Sequence, residues 1–253
     1  MSRVIAVANQ KGGVGKTTTA INLSCFLAAA ERKTLLVDID PQANASSGLG
    51  ITADKRDKTI YEVLIENLNP QEIIHDTSLE HLKLIPSDIK LVGAEIELVP
   101  VESREHVLRR SLQQIRHDFD YVIMDCPPSL SLLTLNGLTA ADSVLIPIQC
   151  EYYALEGISQ LLNTVRLVQK HLNNRLEIEG VLLTMFDSRL NLSKQVSEDV
   201  KKFFNDKVFE SVIYRNVKLS EAPSFGQPII FHDITSRGAQ NYLSLAQEII
   251  ENE

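Results

Sequence analysis

Continuous apolar runs of strand length punctuate the chain at 3–9, 34–39, 82–86, 120–125, 143–148, 178–184 and 208–213. Helix-length stretches fall between them, near 16–30, 59–68, 88–98, 103–117, 131–141, 153–171, 192–205 and 236–251. Most of the apolar runs are unbroken rather than alternating, as in strands buried on both faces of a parallel sheet. This succession predicts an α/β fold, a doubly wound, mostly parallel sheet flanked by helices. No repeat, low-complexity tract or linker interrupts it, so residues 1–253 read as one domain. Sheets of this kind bind their ligands beyond the carboxyl ends of the strands, which is where chemistry is expected.

The first strand and the first helix enclose Gln10-Lys-Gly-Gly-Val-Gly-Lys-Thr-Thr18. Gly12, Gly13 and Gly15 let the backbone turn tightly and bring N–H groups toward an anion, and Val14 sits among them. The helix N-terminus adds partial positive charge. Lys16 can reach terminal phosphates, Thr17 can ligate magnesium, and Thr18 follows within the first turn. The run departs from G-x-x-x-x-G-K-[ST] at its head, where Gln10 replaces glycine and Lys11 adds a second cation. One polyphosphate does not need both lysines, so Lys11 requires its own explanation.

Two strand ends supply acids. Leu35-Leu-Val-Asp38-Ile-Asp40-Pro41 places Asp38 and Asp40 on the same side of a strand that Pro41 stops, ahead of a polar loop at Gln42–Ser47. Tyr121-Val-Ile-Met-Asp125 ends in Pro127-Pro128 and has the pattern of a metal-side carboxylate. Asp125 is expected to hold magnesium through a water and Asp40 to orient an attacking water. Asp38 is expected to support them, against metal-bound water or the loop.

Composition narrows the class. Apolar residues make up 44% and charged residues 23%, ordinary for a globular protein, and no run approaches the roughly 18 apolar residues that span a bilayer. Cys25, Cys126 and Cys150 are widely separated, which argues against disulfide or zinc frameworks and for a reducing, cytoplasmic setting. Met1 leads directly into a strand, so no secretory signal is expected. Net charge is −8, yet residues 189–237 carry eight Lys/Arg against six Asp/Glu, about +2, leaving about −10 elsewhere. Tyr152 and Tyr153 read as packing side chains, and the scattered histidines form no ligand spacing.

Four motifs in order, Lys11-Gly-Gly-Val-Gly-Lys-Thr-Thr, Asp38-Ile-Asp-Pro-Gln-Ala-Asn, Asp125-Cys-Pro-Pro-Ser and Arg215-Asn-Val-Lys-Leu-Ser-Glu-Ala-Pro-Ser, resemble the ParA/Soj chromosome-partitioning ATPases. These are P-loop ATPases with a deviant Walker A loop, and the resemblance covers about residues 3–250. It implies ATP and magnesium as ligands. It also implies that Lys11 reaches across a homodimer interface to the partner's phosphates, with Gly12 close-packed there, Lys16 and Thr17 in the loop roles, and Asp40 as the hydrolytic acid. The adenine pocket is expected around Met185 and the Asn216–Pro223 loop.

The resemblance further implies non-specific binding of double-stranded DNA by the ATP-bound dimer, stimulation by a ParB-like centromere-binding partner, and a nucleoid-associated, cytoplasmic protein. Arg189 and Lys218 match the DNA positions best, with Lys194, Lys201, Lys202 and Arg237 as further candidates. Such phosphate contacts are sequence-independent and salt-dependent. No helix-turn-helix precedes the first strand, so sequence-specific repression is not expected. The chain departs from the family at Tyr214, often proline, and at Ala43, often glycine. The alternative is a membrane-positioning ATPase of the MinD type, which needs a basic amphipathic C-terminal helix. Here the end, Leu243–Glu253, is acidic. An iron–sulfur protein on this fold would need a second cysteine near Cys126, which reads instead as a small buried residue.

Overall fold

The structure, a computed structural model, describes residues 2–151 and 154–252, without the side chains of 154–157; the reading of Tyr152 and Tyr153 lies outside them. The elements run β1 (Arg3–Val7), α1 (Lys16–Ala29), β2 (Thr34–Asp38), α2 (Asn44–Gly48), α3 (Ile60–Ile65), β3 (His75–Asp76), β4 (Leu82–Ile85), α4 (Leu91–Glu97) and α5 (Val107–Leu112). They continue with β5 (Tyr121–Asp125), α6 (Leu132–Ala140), β6 (Ser143–Gln149), α7 (Ala154–His171), β7 (Glu177–Phe186), α8 (Asn191–Phe204), β8 (Val208–Tyr214), α9 (Val217–Glu221), α10 (Ile229–His232) and α11 (Arg237–Glu251).

The strands form one sheet in the order β3-β4-β2-β5-β1-β6-β7-β8. Every described pairing is parallel except β3 with β4. Side-chain alternation along β1 shows why both faces are covered. Val4 and Ala6 enter an apolar layer with α3 to α8, while Ile5 and Val7 enter the layer built by α1, α10 and α11. Helix α1 is buried on nearly every side, with Thr19 to Ala28 all inside. The sheet and its neighbours thus fix its N-terminus beneath the phosphate loop.

The α/β reading and all seven strand positions match the structure. The two-residue β3 has no apolar run to announce it. The stretch 103–117 is not one helix, because Ser103 takes φ +52° and the regular turns stop at Leu112. The loop expected at 42–47 contains α2, a single helical turn and a little more.

Candidate nucleotide and metal site

Register assembles the site before any side chain is considered. Strand β5 lies between β2 and β1, with Asp125 directly beside Asp38 on one side and Val7 on the other. The phosphate loop leaving β1 and both acidic strand ends therefore share one edge of the sheet.

The loop is held from behind. Asn9 donates its side-chain amide to Pro147 O (2.8 Å) and accepts from Lys11 N–H (3.0 Å), and Thr184 donates its hydroxyl to Val14 O (2.8 Å). Gly15 caps α1 at φ +91°, a conformation that a side chain would strain. No side chain caps that helix end and no acid lies in its first turn, so the site keeps its attraction for an anion.

Lys16 is buried and donates Nζ to Lys11 O at 3.0 Å. Burial lowers its pKa, and the nearby Asp125 and Asp40 act in the opposite direction. Lys11 differs: its side chain is one-third exposed, and Nζ stands 4.0 Å from Glu151 Oε2. Arg215 approaches the other oxygen of Glu151 at 3.6 Å. Pairs this exposed are weak, so a phosphate could replace Glu151 as the partner of Lys11. Gly12 is exposed, and a Cβ built there would meet nothing within 4 Å. Nothing among the described residues requires the absence of a side chain at that position.

The carboxylates have contrasting surroundings. Asp38 is fully buried; Oδ1 accepts Asp40 N–H (3.1 Å), and Oδ2 accepts the N–H (2.8 Å) and hydroxyl (2.7 Å) of Ser46. Burial pushes its pKa up to about 6 despite these bonds. Asp40 accepts Gln42 N–H at 2.9 Å. Asp125 is equally buried, but neither of its oxygens has a partner at hydrogen-bond geometry, although the Thr17 hydroxyl lies close enough to favour its charged form. Burial, and secondarily the Asp38 charge, raises its pKa well above the ordinary carboxylate range. An orphaned carboxylate beside a hydroxyl, on the rim of an anion-binding loop, is a donor set that fits magnesium.

A cavity of about 290 Å³ opens beside the loop, and it includes Gly15, Thr18, Met185, Asn216 and Pro223 in its lining. The three residues expected around adenine therefore meet the phosphate loop. Met185 takes φ +50°, a strained conformation for methionine and one that clusters at ligand sites. Leu219, within the expected Asn216–Pro223 loop, joins the wall, and Thr184 and Tyr242 add parts of it that the sequence does not point to. Tyr242 comes from α11, far along the chain, so no local pattern marks it; its hydroxyl meets Thr19 at 3.1 Å.

A family model described as an AAA domain matches residues 2–178. The chain is 60% identical over 252 residues to the sporulation initiation inhibitor protein Soj of Bacillus subtilis, covering 100% of each. It is 56% identical over 253 residues to the chromosome partitioning protein ParA of Myxococcus xanthus, covering 100% of this chain and 89% of that protein. The chain belongs to the ParA/Soj family of chromosome-partitioning ATPases. A crystal structure of cobyrinic acid a,c-diamide synthase from Mycobacterium smegmatis is 40% identical and has a TM-score of 0.88, covering 100% of this chain and 95% of that one. It holds ADP and magnesium.

In this ParA/Soj protein the basic candidates fall in three places. Arg189 and Arg237 line a second cavity of about 350 Å³ together with Arg215, Tyr214 and Val217. Arg189 is chelated by Asp187 (2.9 and 2.7 Å), and Arg237 lies 3.3 Å over the Tyr214 ring. Tyr214 N–H also donates to Asn241 Oδ1 at 3.2 Å, a bond that a proline at this position could not make. Lys218, on α9, pairs with Glu221 at 2.9 Å. Lys194, Lys201 and Lys202 are exposed on α8, the last two about 10 Å further along its axis than the first. Among the described residues no helix is long and apolar enough to cross a membrane, and no group of His, Cys, Asp and Glu forms a metal cluster. Cys126 is fully buried and unpaired.

Proposed function

We propose that this ATPase is a nucleotide-controlled DNA segregation dimer. ATP is held by Gly12 to Thr18 of the loop, with adenine against Met185, Asn216 and Pro223. Thr17 and Asp125 hold magnesium, the latter through a water; bound there, the ion offsets phosphate charge. Lys16 gives up Lys11 O for the terminal phosphates. Asp40 orients the attacking water, and Asp38, already accepting from Asp40 and Ser46, supports it from beneath.

One observation carries the reading. Lys16 and the Asp125–Thr17 pair suffice for the local phosphates, while Lys11 sits on the rim beside a Gly12 with open space in front of it. A second copy approaching that rim would receive Lys11 on its own phosphates and would require Gly12 to stay small. Dimerisation then depends on bound ATP and ends with hydrolysis. The dimer doubles the basic surface of Arg189, Arg215, Lys218 and Arg237, so DNA binding follows the nucleotide state. The ATP-bound dimer is therefore nucleoid-associated, and a ParB-like partner on the centromere stimulates turnover and release.

The test is DNA binding by the Asp40→Ala protein with ATP, ADP or no nucleotide, across a salt series. Tight, salt-sensitive binding with ATP alone is expected. Equal binding in all three conditions would sink the proposal.

A further inference from the structure

The exit of β4 reaches across the sheet edge to the loop that carries Asp40. Ser87, fully buried, donates its hydroxyl to Asp40 O at 2.6 Å, and its N–H donates to Ser46 Oγ at 3.0 Å. Ser46 donates its own hydroxyl to Asp38 Oδ2 at 2.7 Å, while Asp38 Oδ1 accepts from Asp40 N–H at 3.1 Å. Asp38, Ser46, Ser87 and Asp40 therefore close a ring. Each hydroxyl proton has one acceptor, and the Ser46 oxygen both gives and receives. Arg56 fastens the ring from outside, donating to Ser87 O (3.1 Å), the Ser47 hydroxyl (2.8 Å) and Ile51 O (2.8 Å).

The ring constrains main chain, not the reacting carboxylate. Asp40 is held at its N–H by Asp38 and at its carbonyl by Ser87, so both ends of one residue are pinned. Ala43 adds a left-handed turn (φ +52°) three residues later. Pinning of this kind sets where the side chain at 40 can reach. Catalysis by an oriented water falls steeply when that placement shifts by a fraction of an ångström.

We infer that Ser87 is a positioning residue for ATP hydrolysis, holding the Asp40 loop in register with the phosphate loop from a neighbouring strand. The inference rests on the proposed water-orienting role of Asp40. It assigns Ser87 no contact with nucleotide, so removing its hydroxyl should leave ATP affinity untouched.

The experiment compares wild type, Ser87→Ala, Ser87→Thr and Asp40→Ala in steady-state ATP hydrolysis with saturating magnesium, alongside affinity for a fluorescent ATP analogue. Ser87→Ala should lose about tenfold to a hundredfold in kcat with KM and analogue affinity within about twofold of wild type. Ser87→Thr, which restores the hydroxyl, should recover most of that loss. If Ser87→Ala fails to fold, Ser87→Cys keeps the shape with a weaker donor and should show the same split. An inactive Asp40→Ala beside a fully active Ser87→Ala overturns the inference alone. So does a Ser87→Ala whose kcat and affinity fall together without rescue by threonine. An Asp40→Ala that hydrolyses at the wild-type rate overturns the role of Asp40 first, and the inference with it.

Discussion

The ends of β2 and β5 lie side by side, each closing on an aspartate, and the two ends are built in opposite ways. At β2, Asp38 is saturated with donors from its own loop. At β5, Asp125 is just as deeply buried and has no such partner. One end is a finished brace; the other suits the magnesium role proposed for it, since its buried oxygens accept no hydrogen bond. A buried carboxylate left in this condition costs stability, which proteins tolerate where a ligand later relieves it.

Removing the receptor should give the largest effect. Asp125→Asn should reduce magnesium-dependent hydrolysis by about a hundredfold or more. The same change should raise nucleotide-free stability by about 1 kcal/mol or more, because a desolvated acid has gone. Thermal melts in chelator and hydrolysis assays read both; lower stability with normal turnover would erase the distinction. Breaking the brace should act the other way. Asp38→Ala strands donors from Asp40 and Ser46 and should cost about 2–4 kcal/mol, measured by urea unfolding, with hydrolysis lost as the loop loosens.

Acidity sharpens the contrast further. Burial raises the pKa of both acids, that of Asp38 to about 6, so the folded state favours their protonated forms. Their contribution to stability is complete below the ordinary carboxylate range and is lost as pH rises through about 6 and, for Asp125, beyond. Nucleotide-free protein should therefore lose less stability between pH 5 and 7.5 once Asp125 is Asn. An unchanged pH dependence would show that Asp125 is not the strained group. Proton release on adding magnesium and ATP near pH 6.5, seen by calorimetry in buffers of different ionisation heat, reports the same linkage.

The smallest effect is expected at Ala43, where this chain holds a left-handed alanine at φ +52°. Ala43→Gly should relieve strain and stabilise by about 0.5 kcal/mol after the entropy cost of glycine, with hydrolysis changed less than about twofold. A clear loss of stability would mean that Ala45 and its neighbours, rather than the backbone turn, hold the β2 exit.

How much of this was legible depends on how far apart the cooperating residues lie. The phosphate loop is contiguous, and the strand-end acids follow apolar runs, so pattern and chemistry coincide in one stretch of sequence. The brace is different: Ser46 and Ser87 are 41 residues apart and meet only because β4 pairs with β2. Neither serine has a neighbour in sequence that hints at the other. Helix α2 read as a polar loop because only Ala45, Ser46 and Gly48 of its five residues are buried, too few to show a period. The basic residues could be counted but not grouped. Arg189 and Arg237 meet around one cavity because β7 and β8 end together and α11 starts nearby, while Lys201 and Lys202 stay apart on α8.

The central claim is that Lys11 serves a second copy of the chain. Sedimentation velocity of Asp40→Ala and of the double variant Lys11→Ala/Asp40→Ala, each with saturating ATP and magnesium, tests it most directly. The first should be a dimer and the second an ATP-bound monomer; dimers of equal stability in both would rule out the cross-subunit role of Lys11.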